Sequence, residues 1–163
     1  MQYLHKIARH KVIIALILVF GLAGCAKKNK GLDTAGQLGI SAQPGTREDF
    51  TVNVGDRVFF EVDSSAIRGD AQQTLSRQAQ WLARYPQYQI TIEGHADERG
   101  TREYNIALGQ RRAVAARDYL INQGVDASRL RTVSYGKERP VAVCDDISCW
   151  SQNRRAVTVI DGN

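Results

Sequence analysis

Five short runs of alternating character, Phe50–Val54, Val58–Val62, Gln89–Glu93, Arg131–Tyr135 and Ala156–Ile160, are interleaved with two stretches of helical period. That interleaving restricts the chain to an architecture mixing strands with helices. The first helix is expected to start at Asp70 as N-cap and to place Ala71, Leu75, Ala79, Leu82 and Tyr85 on one face until Pro86 forbids continuation. The second is expected to start near Thr101, with Glu103 in a first turn where the helix dipole favours an acid, and to stop at Gly124. Tyr104, Leu108, Ala115 and Tyr119 form its expected apolar stripe. The order strand-helix-strand-helix-strand implies an α/β sandwich with both helices on one face of a mixed sheet.

The segment ahead of this module has a different character. Lys6, Arg9 and Lys11 precede an apolar run from Val12 to Phe20, and Gly21-Leu22-Ala23-Gly24-Cys25 follows, which is the organisation of an export signal. The run is shorter than the roughly 20 apolar residues a membrane-spanning helix needs. Leu22-Ala23-Gly24-Cys25 resembles the bacterial lipobox, which implies removal of residues 1–24 and acylation of Cys25 as the mature first residue. Ala26 follows where an aspartate would retain such a lipoprotein in the inner membrane, so the resemblance implies an outer-membrane anchor with the domain facing the periplasm. Each acyl methylene buried in lipid contributes about 0.8 kcal/mol, which makes two or more chains a stable anchor. Residues 25–47 contain four glycines and a proline but no aromatic residue, and read as a flexible tether with a span near 25 Å. The folded domain is then expected at 48–163.

Charge narrows the function. The full chain has 22 Lys and Arg against 17 Asp and Glu, but three of those bases leave with the leader. The remaining excess of +2 gives no electrostatic footprint for nucleic acid, and no nucleic-acid partner is expected.

Candidate binding residues concentrate where the strand ending at Glu93 passes through Gly94-His95-Ala96-Asp97-Glu98-Arg99-Gly100 into the second helix. Loops at such junctions commonly bind ligands. On that helix Asn105 and Arg112 are seven residues apart, about 700° of rotation, and so lie within about 20° of one face. Gly109 between them and Ala116 beyond keep that face shallow, and the notch is expected to admit a ligand. Asp97 offers a carboxylate to an ammonium and Arg112 a planar fork to a carboxylate, so an amino-acid zwitterion satisfies both. The same two residues also suit a ligand-free surface salt bridge worth about 0 to 1 kcal/mol, and spacing alone leaves the two readings about even.

The stretch from Gly94 to Ala113 (GHADERGTREYNIALGQRRA), with Ser134-Tyr135-Gly136-Lys137-Glu138-Arg139-Pro140 and Asn153-Arg154-Arg155-Ala156, resembles the OmpA-like peptidoglycan-binding domain family. The match runs from about Arg57 to Ile160. It implies that Asp97 and Arg112 hold the ammonium and carboxylate of the D-centre of diaminopimelate in a peptidoglycan stem peptide. It also places Phe60 and Glu61 at the pocket wall, Asn105 in support of the loop, and Arg155 nearby. Glu61 departs from the aspartate usual in the family, which leaves a backbone contact intact and a side-chain contact in doubt. A protein partner is implied too: the propeller protein TolB, and through it the Tol system of envelope integrity and cell division, with contacts around the Asp97 loop and Glu138-Arg139.

Export to an oxidising compartment favours a structural disulfide between Cys144 and Cys149, whose spacing is not that of a redox CxxC pair. Once Cys25 is acylated, only these cysteines and His95 remain as soft ligands, too few for a four-ligand zinc site. No metal and no cofactor is expected. The catalytic alternative is a hydrolase acting on the same polymer through Glu93, His95, Asp97 and Glu98. The chain has no HExxH or GxSxG motif, and the expected activity is binding without turnover.

Overall fold

The computed structural model describes residues 42–162. The export leader, Cys25 and most of the expected tether lie outside the described residues. The described chain forms a short helix α1 (Arg47–Asp49) continuing into a π-helical turn (Phe50–Gly55), then β1 (Arg57–Phe59), α2 (Gly69–Arg84), β2 (Ile90–His95) and α3 (Arg102–Asn122). A 3-10 turn (Ala127–Arg129), β3 (Leu130–Gly136), α4 (Ile147–Asn153) and β4 (Arg155–Ile160) complete it. The fold is α/β with a mixed four-stranded sheet, as expected.

Strand order is β1-β4-β2-β3, so the last strand inserts between the first two. β4 runs antiparallel to both β1 and β2, while β2 and β3 are parallel. Ile90 and Ile92 of β2, Ala156 and Ile160 of β4 and Val58 of β1 join Leu75, Leu82, Trp81, Ala113, Ala116 and Leu120 of the helices in one core. Side chains alternate across a sheet, and the rows of β2 and β4 that face the helices supply most of the sheet's share of this core.

The expected strand at Phe50–Val54 is helical. Phe50 and Val54 are both buried but Val52, which a strand would place beside them, is 56% exposed. A spacing of four suits a helical turn as well as it suits alternation, and Asp49 decides between the two. Its buried carboxylate accepts from the Gly45 amide at 2.8 Å, from Asn53 Nδ2 at 2.8 Å and from Trp81 Nε1 at 2.8 Å, which pins the turn onto α2. Hydrogen bonds from Asn53, Trp81 and Gly45 hold that carboxyl below the usual carboxylate range. Residues ahead of 48 also bond to the fold: the Gly45 carbonyl accepts from Tyr88 Oη and Arg47 Nη2 donates to the Asp161 carbonyl, each at 2.7 Å.

β1 is shorter than the expected Val58–Val62. Past Phe59 the carbonyls are taken by arginine side chains: Phe60 by Arg154 Nε at 3.1 Å and Glu61 by Arg112 Nη2 at 3.0 Å. The N-cap of α2 is Arg68, and Asp70 lies inside the first turn. Thr101 caps α3 as expected, its hydroxyl accepting from the Tyr104 amide. At the other end Gly124 takes a φ of +94°, a left-handed conformation that glycine adopts without a Cβ penalty.

The buried stripe of α3 keeps Leu108 from the expected one, and Tyr119 packs at the core's edge, but the rest differs. Tyr104 is 43% exposed, and the helix instead buries Asn105, Leu108, Gly109, Arg112, Ala113, Ala116 and Leu120. Small and polar residues face the sheet because the helix sits very close to it. A Cβ built on Gly94 would lie 1.8 Å from the Gly109 carbonyl oxygen, and one on Gly109 would lie 2.8 Å from the Gly94 carbonyl oxygen. The expected notch at Gly109 is therefore filled by β2 and admits no ligand. Gly94→Ala is expected to lower unfolding stability by about 3 kcal/mol, the upper range for overpacking a close contact, measurable as a lower midpoint in chemical denaturation.

Candidate functional site

The backbone reaches the site through an irregularity. β2 and β3 pair residue for residue up to Gly94 with Ser134, then the register shifts and His95 pairs with Gly136. The Ala96 amide donates to the Gly136 carbonyl at 2.8 Å, and the chain leaves the sheet as the Ala96–Thr101 loop. Asn105 Nδ2 donates to the Arg99 carbonyl at 2.7 Å, so the first turn of α3 supports that loop from beneath.

Asp97 and Arg112 line one cleft of about 290 Å³, with Val62, Asp63, Gly100, Tyr104 and Leu108 among its other walls. The Tyr104 hydroxyl donates to Asp63 across the rim. The two charges do not pair with each other directly. Asp97 pairs with Arg99 Nη2 at 2.7 Å and with Arg154 Nη1 at 3.3 Å, so the alternative of a simple Asp97–Arg112 surface bridge does not describe this geometry. Burial tends to raise the Asp97 pKa, but hydrogen bonds from Arg99 and Arg154 outweigh it and hold the carboxyl below its usual range.

Arg112 is fully buried. Its Nε donates to the Ser64 carbonyl at 2.9 Å, Nη1 to the His95 carbonyl at 2.8 Å and Nη2 to the Glu61 carbonyl at 3.0 Å. A guanidinium carries five N–H groups, so one on each terminal nitrogen is left for another acceptor. Burial pushes its pKa down to about 10, against the pull of nearby Asp97, and it stays charged at neutral pH. The guanidinium also lies 5.2 Å from the Phe60 ring centroid.

The other expected site residues separate. Phe60 is buried behind Arg112 rather than lining the cleft. Glu61 contributes its carbonyl, while its side chain turns away to Arg68 at 2.6 Å. Arg155 lies outside the cleft lining, where its Nη2 donates to the Arg139 carbonyl at 3.1 Å. Its neighbour Arg154, which precedes β4, joins Arg99 on Asp97 and also donates to the Phe60 carbonyl. The alternation of the following strand carried the signal, since adjacent residues point to opposite faces.

The acids proposed for catalysis are divided among different surroundings. Glu98 accepts from Trp150 Nε1, Asp97 is held by two arginines, and Glu93 Oε2 lies 3.6 Å from His95 Nε2. That last contact is not an ion pair, because the imidazole is neutral: burial, then Arg155 and Arg139, push its pKa down to about 4. Among the described residues no cluster of three potential metal ligands occurs. Cys144 and Cys149 are joined by a disulfide of 1.99 Å at the start of α4. Glu138 and Arg139 are exposed, Glu138 pairing with Arg102 at 3.2 Å and Arg139 stacking on Tyr135 at 3.5 Å.

Two stability predictions follow from this geometry. Arg112→Met leaves three carbonyls without their donor, each worth about 1 to 3 kcal/mol when orphaned. A loss of about 3 kcal/mol or more is expected in urea unfolding. For His95 the folded state refuses a proton that the unfolded chain accepts near pH 6.5. Its contribution is whole above pH 6.5 and is lost as the pH falls toward 4, so the melting temperature of His95→Gln should fall less over that interval than that of the parent chain.

The OmpA family model matches residues 59–154. The peptidoglycan-associated lipoprotein of Agrobacterium fabrum is 67% identical over 163 residues, covering 98% of this chain and 92% of the relative. Among solved structures, the peptidoglycan-associated lipoprotein from Burkholderia pseudomallei is similar with a TM-score of 0.67 at 42% identity, covering 71% of this chain and 100% of that one. The C-terminal domain of Helicobacter pylori MotB gives a TM-score of 0.62 at 26% identity, covering 66% and 85%.

Proposed function

Because the chain belongs to the OmpA family, we propose that it is an envelope lipoprotein that binds peptidoglycan noncovalently and does no chemistry on it. The bound element is the D-centre of diaminopimelate in the stem peptide, whose free ammonium and carboxylate are carried by one carbon. The observation that supports this most directly is the shared cleft, lined by both Asp97 and Arg112, whose guanidinium keeps two N–H groups beyond the three it spends on carbonyls. A zwitterion entering there faces a carboxylate and a guanidinium, groups of opposite sign, in one small cleft, and charge-assisted hydrogen bonds are the strong ones. Neither site charge needs to move a proton, and Asp97 stays ionised at neutral pH.

Anchoring belongs to the same reading. Among the described residues no helix is long and apolar enough to cross a membrane. Acylation at Cys25 would hold the protein at the outer membrane, and the tether that follows would let the domain reach the wall. The high identity to a peptidoglycan-associated lipoprotein over nearly the whole chain, lipobox region included, supports that arrangement. The proposal extends to TolB and the Tol system as protein partners, with contacts around the Asp97 loop and the exposed Glu138-Arg139 pair.

Asp97→Asn keeps the shape of the side chain and removes the charge. It is expected to cost about 2 to 5 kcal/mol of affinity, as for breaking a buried charge pair. Cosedimentation with purified peptidoglycan measures this directly, and full retention by a folded Asp97→Asn variant would sink the assignment. Arg112 is the poorer test because its substitution also unfastens the fold.

A further inference from the structure

Resting on the zwitterion reading, we propose that the Arg99 side chain is an exchangeable latch: it holds the ammonium position on Asp97 in the empty site and must be displaced by the ligand. A carboxylate offers about four lone-pair positions, and all four on Asp97 are in use. Oδ1 accepts from the Arg99 amide and from Arg99 Nε, both at 3.2 Å. Oδ2 accepts from Arg99 Nη2 at 2.7 Å and Arg154 Nη1 at 3.3 Å. An arriving ammonium therefore finds no vacant acceptor.

Of these four donors only the Arg99 side chain is free to leave. The Arg154 side chain is 6% exposed and also holds the Phe60 carbonyl, and the Arg99 amide belongs to the turn itself. The Arg99 side chain is 41% exposed and returns to water at little cost. While it holds Asp97 its guanidinium also lies 4.3 Å from the centroid of Trp150, so its departure would alter the surroundings of that indole. Trp150 is fixed beneath it by the bond to Glu98 and by a helix whose start is closed by the Cys144–Cys149 disulfide.

The consequence is selectivity for charge. With Arg99 seated, the cations Arg99, Arg112 and Arg154 outnumber the carboxylates Asp63 and Asp97 around the cleft, and a further cation is disfavoured until one leaves. An ammonium exchanges one-for-one with Arg99 and leaves the local charge count unchanged, whereas an acylated, uncharged amine leaves Asp97 with nothing to replace what it lost. The latch thus rejects stem peptides whose D-centre amine is blocked, beyond the loss of one hydrogen bond.

The test is a titration of the wild-type chain, Arg99→Ala, Arg99→Gln, Trp150→Phe and Asp97→Asn with a soluble muropeptide ending in meso-diaminopimelate, read by calorimetry and tryptophan emission. Both Arg99 variants should bind severalfold more tightly than wild type. Binding should change the emission of the wild type, and the change should vanish in Trp150→Phe and in the Arg99 variants. Equal or weaker binding by both Arg99 variants overturns the latch, as does an emission change that persists in them. The parent reading fails separately, if wild type does not bind the muropeptide or Asp97→Asn binds as well as wild type does.

Discussion

The buried Arg112 guanidinium joins three pieces of backbone that no regular hydrogen-bond ladder connects. It gathers the carbonyls of Glu61 and Ser64, from the turn between β1 and α2, and of His95, at the end of β2, onto the middle of α3. A charge removed from water costs several kcal/mol unless dipoles and counter-charges replace its hydration. Three carbonyl dipoles and the nearby Asp97 supply that replacement. The walls of the cleft are therefore set by the same contacts that make the burial of Arg112 tolerable.

Close approach of helix and sheet makes the clamp possible. Gly94 and Gly109 leave room for backbone to meet backbone, and this brings Arg112 within reach of the His95 carbonyl at the point where the β2 register shifts. A glycine inside a helix costs about 1 kcal/mol relative to alanine, and here the contact it permits compensates. The same register shift turns the chain into the loop that presents Asp97, with Asn105 holding the loop from below. Arg154 immediately precedes β4, which lies between β1 and β2 in the sheet and so brings the residue before it beside the ends of both.

Legibility varied from residue to residue for physical reasons. The strands β2 and β4 are readable because each buries alternate side chains against the helices, and Thr101 and Gly124 are readable as ends of α3 because caps act locally. Phe50–Val54 was ambiguous, since residues four apart share a face of a helix and also of a strand, and the deciding contact, Asp49 to Trp81, spans 32 residues. The stripe of α3 was misplaced because its buried side is polar and small, which hydrophobic periodicity cannot register. Arg154 and Arg155 are adjacent, yet Arg154 bonds Asp97 while Arg155 bonds the Arg139 carbonyl, a difference that packing decides.

The amino-acid sequence alone determined the alternation of the two long helices with β2, β3 and β4, the ends of α3, the family resemblance, and the pairing of an acid and an arginine as the chemistry to look for, because these rest on periodicity, capping and short motifs. Tertiary structure decided what those charges touch. Arg112 is committed to three carbonyls and Asp97 to two other arginines, across sequence separations from 2 to 57 residues. Which partners a charge finds inside a protein depends on which backbone groups the packing leaves without a ladder, and that is a property of the assembled layers, not of any segment read by itself.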